Sequence, residues 1–88
     1  MNTTPSIGRV VIVPVGPSLN NGADRAPAII TRVWNEQPDG SWVINARVLC
    51  DSENTMWLTS LRLFASESVA LDATLSDAKH FAYWPVRV

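Results

Sequence analysis

The sequence predicts an all-β, or mainly β, fold from three observations. Five short segments are rich in β-branched and aromatic residues. Clusters of Gly, Pro, Asn, Asp and Ser separate these segments and are typical of turns. No long stretch repeats apolar residues at helical spacing. For a single domain of 88 residues, this pattern indicates a small five-stranded SH3-like barrel, with an OB-like barrel as the alternative.

The barrel is expected to span residues 7–88, after a flexible N-terminus at residues 1–6. Its strands are predicted at residues 8–15, 27–35, 42–50, 56–64 and 80–86. Pro14 ends the first strand or places it at an edge, because proline cannot donate to a ladder. Pro85 interrupts the last strand for the same reason.

The connections follow from turn chemistry. Residues 16–26 form the clearest loop, and Pro38-Asp39-Gly40 is a strong turn signal before the third strand. A polar run at residues 51–55 makes the second, third and fourth strands a meander. Residues 65–79 fit one short helix loosely, and Asp72 is a candidate cap for it.

The third strand shows the clearest alternation. Ile44, Ala46, Val48 and Cys50 fall on one face and are predicted to fill the core. The fourth strand carries apolar residues on both faces, so one face is expected to meet a partner or a loop. Together with the small core, this predicts a homo-oligomer.

Composition argues for binding and against chemistry. Seven basic and eight acidic residues give a net charge of −1, which argues against general nucleic-acid binding. Cys50 and His80 are the only cysteine and histidine, too few for a typical zinc site. No Gly-x-Ser-x-Gly elbow or phosphate-binding glycine loop occurs. We therefore expect no enzyme activity, metal or cofactor.

The chain is also expected to stay in the cytoplasm. Its longest apolar run, residues 10–15, is too short to cross a bilayer, and the N-terminus lacks a signal-peptide pattern. A single cysteine allows no intrachain disulfide, in keeping with a reducing compartment.

Tryptophans are the first candidate binding residues. Trp34, Trp42, Trp57 and Trp84 lie at or near strand ends, where loops form binding surfaces. Such rings either cap the core or stack on bases. Tyr83, beside Trp84, is a further stacking candidate.

Arginines are the second candidates, because the planar guanidinium binds phosphate well. Arg25, in the loop at residues 16–26, is the leading phosphate contact, unless it only pairs with Asp24. A hairpin symmetric about residues 38–39 pairs residue i with 77−i, which places Thr31 opposite Ala46. The same register brings Arg32, Asn45 and Arg47 together as an anion-binding patch.

Three stretches carry a resemblance to a known group. PAIITRVW (residues 27–34), VINARVLCDSENTMWLTSL (43–61) and YWP (83–85) resemble small proteins of tailed phages and prophages with P-x-I-V-x-R-V-W, T-x-W-V-T-S-V and W-x-W-P motifs. Counted from residue 27 to residue 61 together with residues 83–85, the resemblance spans a little under half the chain. Ala82 replaces the first tryptophan of the last motif, and relatives often carry a longer insertion after the first strand.

The resemblance implies a phage accessory protein made in the host bacterial cytoplasm. By analogy with viral sponges, it implies sequestration of a cyclic nucleotide-type immune signal between subunits. The expected ligand-binding residues are Arg25, Arg32, Asn45, Arg47, Trp57, Thr59, Tyr83 and Trp84. A protein-interaction module that binds a host factor and a phage structural accessory protein are the alternatives.

Overall fold

The computed structural model describes residues 4–73 and 81–86. It is mainly β, a closed barrel of five strands with one short helix, as predicted. The elements are β1 (Val10–Pro14), β2 (Arg25–Glu36), β3 (Trp42–Leu49), β4 (Thr55–Phe64), α1 (Glu67–Ala73) and β5 (Phe81–Tyr83). Strand number and order fit an SH3-like barrel. No helix among the described residues is long and apolar enough to span a membrane.

Neighbouring strands from β1 to β4 pair antiparallel, which makes β2, β3 and β4 the predicted meander. β5 pairs parallel with β4, and Tyr83 closes the barrel against Ile12 of β1. A parallel pair needs a crossover connection, and α1 lies in it. Closure leaves the sheet without a long free edge.

The core confirms the alternation of β3. Ile44, Ala46 and Val48 are fully buried inside the barrel. Cys50 lies just beyond the strand end and is only half-buried, packed against the edge of the core. The side chains between them therefore face outwards.

The predicted hairpin register is correct midway along the two strands, at the Arg32–Asn45 and Val33–Ile44 pairs, and differs by one residue on either side of them. Arg32 pairs with Asn45, but Ala46 pairs with Ile30 instead of Thr31. A β-bulge at Thr31 takes up one residue, which shifts the remaining pairs by one position. A second irregularity lies at Trp34.

The helix lies within the segment where it was predicted, but its cap differs. The Ser66 hydroxyl accepts a hydrogen bond from the Val69 amide and caps the first turn. Asp72 lies inside α1 instead of before it, so the prediction for this residue is wrong. Ala70 packs α1 onto a small second core formed with Phe64, Phe81 and Tyr83.

The first and last strands have different bounds from those predicted. β1 is shorter than predicted and ends at Pro14, whereas β5 ends at Tyr83, before Pro85. The start of the last predicted strand, at residue 80, lies outside the described residues, as do residues 1–3 of the N-terminus expected to be flexible. Within that segment Pro5 is buried.

Asn20 holds the loop after β1 in place. It is 2% exposed, and its Nδ2 donates to the carbonyls of Ala23 (3.0 Å) and Arg25 (2.8 Å). Its Oδ1 accepts from the amide of Asp51, which ties this loop to the one between β3 and β4. The buried side chain of this loop is therefore polar, and both ends of its amide are hydrogen-bonded.

We expect Asn20→Ala to lower the free energy of unfolding by about 2–4 kcal/mol, because three backbone groups lose their hydrogen bonds to this buried side chain at once. Urea denaturation followed by circular dichroism measures the change. Asn35→Ala is the matched control, since Asn35 is exposed and its side chain bonds to no described residue. Equal losses in the two variants would contradict this role for Asn20.

Asp39 stabilises the turn between β2 and β3 in a pH-dependent way. Its carboxylate accepts hydrogen bonds from the Ser41 hydroxyl (2.6 Å) and amide (2.9 Å), and Arg62 pairs with it at 2.8 Å. The Ser41 bonds, and secondarily the Arg62 charge, lower the pKa of Asp39 below its ordinary value of 3.8.

A lowered pKa stabilises the fold above the ordinary value, and this contribution is lost as pH falls through the folded-state pKa. We expect Asp39→Asn to be less stable than the wild type at pH 7. The two unfolding free energies are expected to converge as pH drops below 3.8. Thermal denaturation between pH 2 and 7 tests this, and a stability difference that persists at pH 2 would contradict it.

Candidate ligand-binding face

The candidate site lies on the outside of the barrel, across β2, β3 and β4. Since alternate residues of β3 fill the core, Asn45 and Arg47 face outwards. We call the surface around them the outer face. It comprises Arg32, Trp34, Asn45, Arg47, Trp57 and Thr59.

Strand register sets the spacing on the outer face. Arg32 of β2 lies directly across from Asn45, and Arg47 lies directly across from Trp57 of β4. Directly opposed residues have Cβ atoms about 4.5–5.5 Å apart, and residues i and i+2 on one strand are about 7 Å apart. Two arginines, an amide and an indole therefore share a surface small enough for one ligand.

Asn45 is the centre of this surface and is 6% exposed. Its Oδ1 accepts hydrogen bonds from Trp34 Nε1 (2.9 Å), the Thr59 hydroxyl (3.0 Å) and the Ser60 amide (2.9 Å). Thr59 and Ser60 together oppose Asn45 at an irregularity of β4, where Ser60 has φ +59°. Asn45 thus links β3 to both β2 and β4 by side-chain hydrogen bonds at the positions where backbone pairing is interrupted.

Two of the four tryptophans present rings on the outer face. Trp34 is 50% exposed and Trp57 is 53% exposed. Trp42 and Trp84 instead pack partly against the core, as the core-capping alternative predicts. The Arg32 guanidinium lies 4.4 Å from the centre of the Trp34 ring, in a cation–π contact that orients both groups.

The cations of the outer face are unneutralised within the described part of the chain. Arg32 and Arg47 form no ion pair with a carboxylate of residues 4–73 or 81–86. Arg25 and Arg62, by contrast, pair with Glu67 and Asp39. The local charge is therefore positive although the whole chain has a net charge of −1.

Three predicted site residues lie elsewhere. Arg25 is the first residue of β2 instead of a loop residue, and its Nη2 is 2.7 Å from Glu67 of α1. It lies seven residues from Arg32 along β2, a strand distance of about 23 Å. The structure therefore separates it from the other candidate arginines.

Tyr83 and Trp84 are also apart from the outer face. Tyr83 is only 6% exposed, and burial raises the pKa of its hydroxyl above the ordinary value of 10.0. Its ring offers no open surface for stacking. Trp84 is half-buried, and the Arg9 guanidinium lies over its ring at 5.1 Å.

No family model, curated protein or solved structure matches the chain. What the outer face can bind is therefore inferred from its own residues. It offers two guanidinium forks, two half-exposed indoles, and the amide and hydroxyl between them. Among the described residues, no three His, Cys, Asp or Glu side chains cluster as metal ligands do.

Trp34 lies on the outer face but was not among the ligand-binding residues predicted from the sequence. It lies at an irregularity of β2, where simple alternation no longer tells which way a side chain points. The sequence signal for Trp34 was Asn45 on the neighbouring strand. An asparagine covered by its neighbours needs hydrogen-bond partners, and the indole Nε1–H of Trp34 is such a donor.

Proposed function

We propose that the protein is a non-enzymatic binding protein that sequesters a cyclic nucleotide-type signal on its outer face. The observation that supports this most is that two half-exposed tryptophans and two unneutralised arginines occupy one sheet surface. A nucleotide needs flat partners for its bases and donors for its phosphates. The outer face supplies both.

Both the bases and the phosphates of such a ligand have suitable partners on the outer face. Base stacking on an aromatic ring contributes about 1–3 kcal/mol per base, and Trp57 has the more open ring because Arg32 covers part of Trp34. Arg32 and Arg47 hold the phosphates as charged donors. The mechanism is stoichiometric capture, so affinity and abundance determine the effect.

A second copy of the chain is expected to complete the site. An outward sheet face covers only one side of a ligand, whereas small-molecule sites usually bury most of the ligand surface. Val10, Ile29, Arg47 and Trp57 form one continuous cross-strand row, and Val10 is 47% exposed. Packing of two such rows would bury apolar area and enclose the ligand in a homo-oligomer.

The setting of this function rests on the phage and prophage resemblance. A sponge of this kind would act in the host bacterial cytoplasm and lower the free concentration of an immune signal. It would carry no cofactor and catalyse no reaction.

Calorimetric titration with cyclic dinucleotides and cyclic ADP-ribose isomers tests the proposal. We expect saturable binding to at least one of them, and light scattering at the same protein concentration to report an oligomer. A folded wild-type protein that binds none of these compounds would overturn the nucleotide proposal.

A protein-interaction module is the second candidate. The row of Val10, partly buried Ile29 and exposed Trp57 favours it, because a mixed apolar and arginine surface is typical of protein interfaces. This candidate requires the tryptophans but not a phosphate between the arginines. Absence of nucleotide binding would therefore favour it.

A further inference from the structure

The two ends of the Asn45 side chain have different surroundings. Its Oδ1 accepts three hydrogen bonds, from Trp34, Thr59 and the Ser60 amide. An indole Nε1–H and a backbone N–H can only donate, so the atom that they contact must be the amide oxygen. With three donors on one carbonyl, Oδ1 has no remaining lone pair for a ligand.

The other end, Nδ2, donates to no described residue. Every fully buried side-chain nitrogen and oxygen in the described part of the chain has a partner, so Nδ2 reaches the surface. Arg32 lies across from Asn45, and Arg47 is two residues further along β3. An unused pair of N–H donors therefore lies on the same sheet face as Arg32 and Arg47, in a residue that is only 6% exposed.

We infer that Asn45 Oδ1 serves the fold whereas Nδ2 binds the ligand, and that the group bound there is a negatively charged hydrogen-bond acceptor. This inference rests on the proposed nucleotide function and names the ligand atom for that site, a non-bridging phosphate oxygen. A cationic group at this position would meet the Nδ2 donors and the like charges of Arg32 and Arg47. Asn45 is then both a positioning residue for Trp34 and a direct contact for the phosphate.

Asn45→Asp separates the two roles of the side chain. The introduced carboxylate still accepts from Trp34, Thr59 and the Ser60 amide, so the position of the Trp34 ring is retained. The same change removes Nδ2 and places a negative charge on the sheet face that carries Arg32 and Arg47. We expect binding of inorganic pyrophosphate and of cyclic di-AMP to weaken by about tenfold to a hundredfold, with tryptophan fluorescence and secondary structure unchanged.

Asn35→Asp is the matched control. Asn35 is exposed on β2, pairs with Val43 of β3 and forms no side-chain hydrogen bond with a described residue. The change adds the same charge to the same sheet but leaves the Nδ2 donors of Asn45 in place. We expect less than a threefold effect on either probe. An equal loss in both variants would overturn a direct contact and leave only a long-range charge effect.

A measurement on the wild-type protein keeps the test independent of how the variant folds. The side-chain ¹H–¹⁵N resonances of Asn45 are expected to shift on saturation with pyrophosphate or cyclic di-AMP, since its Nδ2 protons acquire an acceptor. Unchanged resonances at saturation would overturn the inference.

The two probes distinguish failure of the inference from failure of the proposed function. Pyrophosphate has no base, so its binding depends on the anion contacts alone. If the wild type binds pyrophosphate but no nucleotide, and Asn45→Asp loses it, the function is overturned and the inference stands. If nucleotides bind equally to wild type and Asn45→Asp, the inference alone is overturned. If neither probe binds the wild type, both are overturned.

Discussion

Replacement of both outer-face arginines, Arg32→Gln with Arg47→Gln, is expected to weaken binding of a cyclic dinucleotide by about 10²- to 10⁴-fold. Each charged hydrogen bond contributes about 1.5–3 kcal/mol, and 1.4 kcal/mol corresponds to tenfold in affinity. Neither arginine has an ion-pair partner among the described residues, so no buried carboxylate is left unpaired. Calorimetric titration at fixed ionic strength measures the loss.

Arg25→Gln is the control for the double variant. Arg25 is an exposed arginine of the same strand, but it pairs with Glu67 and lies at the far end of β2. Its surface ion pair contributes at most about 1 kcal/mol to stability, so the variant is expected to fold and to bind as the wild type does. A large loss of binding in Arg25→Gln, with little in the double variant, would place the site at the loop that the sequence favoured.

Ile44→Ala is expected to lower the free energy of unfolding by about 2–5 kcal/mol, through lost apolar burial and the cavity that remains. Ile44 is fully buried and pairs with Val33 of β2 and Leu61 of β4. A small barrel has few such residues, so one truncation removes a large share of its marginal stability. Urea denaturation followed by tryptophan fluorescence measures the change.

Leu49→Ala is the matched control for the core. Leu49 belongs to the same strand but is 39% exposed on the opposite side of the sheet. Its truncation is expected to cost less than about 1 kcal/mol. A similar loss at the two positions would mean that the interior of the barrel is loosely packed.

The candidate site was partly predictable because β3 alternates cleanly. A strand with Ile44, Ala46 and Val48 inside must turn Asn45 and Arg47 outwards, whatever the fold around it. The turn at residues 38–40 joins β2 and β3 as a hairpin, which places Arg32 near Asn45, although the irregularity at Trp34 decides that the two pair directly. Turn position and strand period are local properties, so they can be read from the chain.

Other features depended on contacts that the sequence order does not reveal. The bulge at Thr31 and the irregularity at Trp34 change which residues pair and which side they face, and no local residue pattern marks them. The pair of Arg25 with its neighbour Asp24, at 3.8 Å, was the alternative read from the sequence, whereas its shorter pair with Glu67 was not predictable because Glu67 comes from a helix far along the chain. Tyr83 was predicted to stack on a ligand, but its ring is buried in the second core with Phe64, Ala70 and Phe81.

The sequence by itself determined the fold class, the five strands, the core face of β3 and the outward direction of Asn45 and Arg47. Each of these follows from short-range periodicity and turn chemistry. Only the tertiary structure decided which arginines are neutralised, which tryptophans are exposed, and that Asn45 Oδ1 joins three strands. Those properties arise from partners 11 to 42 residues apart (Trp34 to Asn45, and Arg25 to Glu67), brought together by barrel closure and strand irregularities.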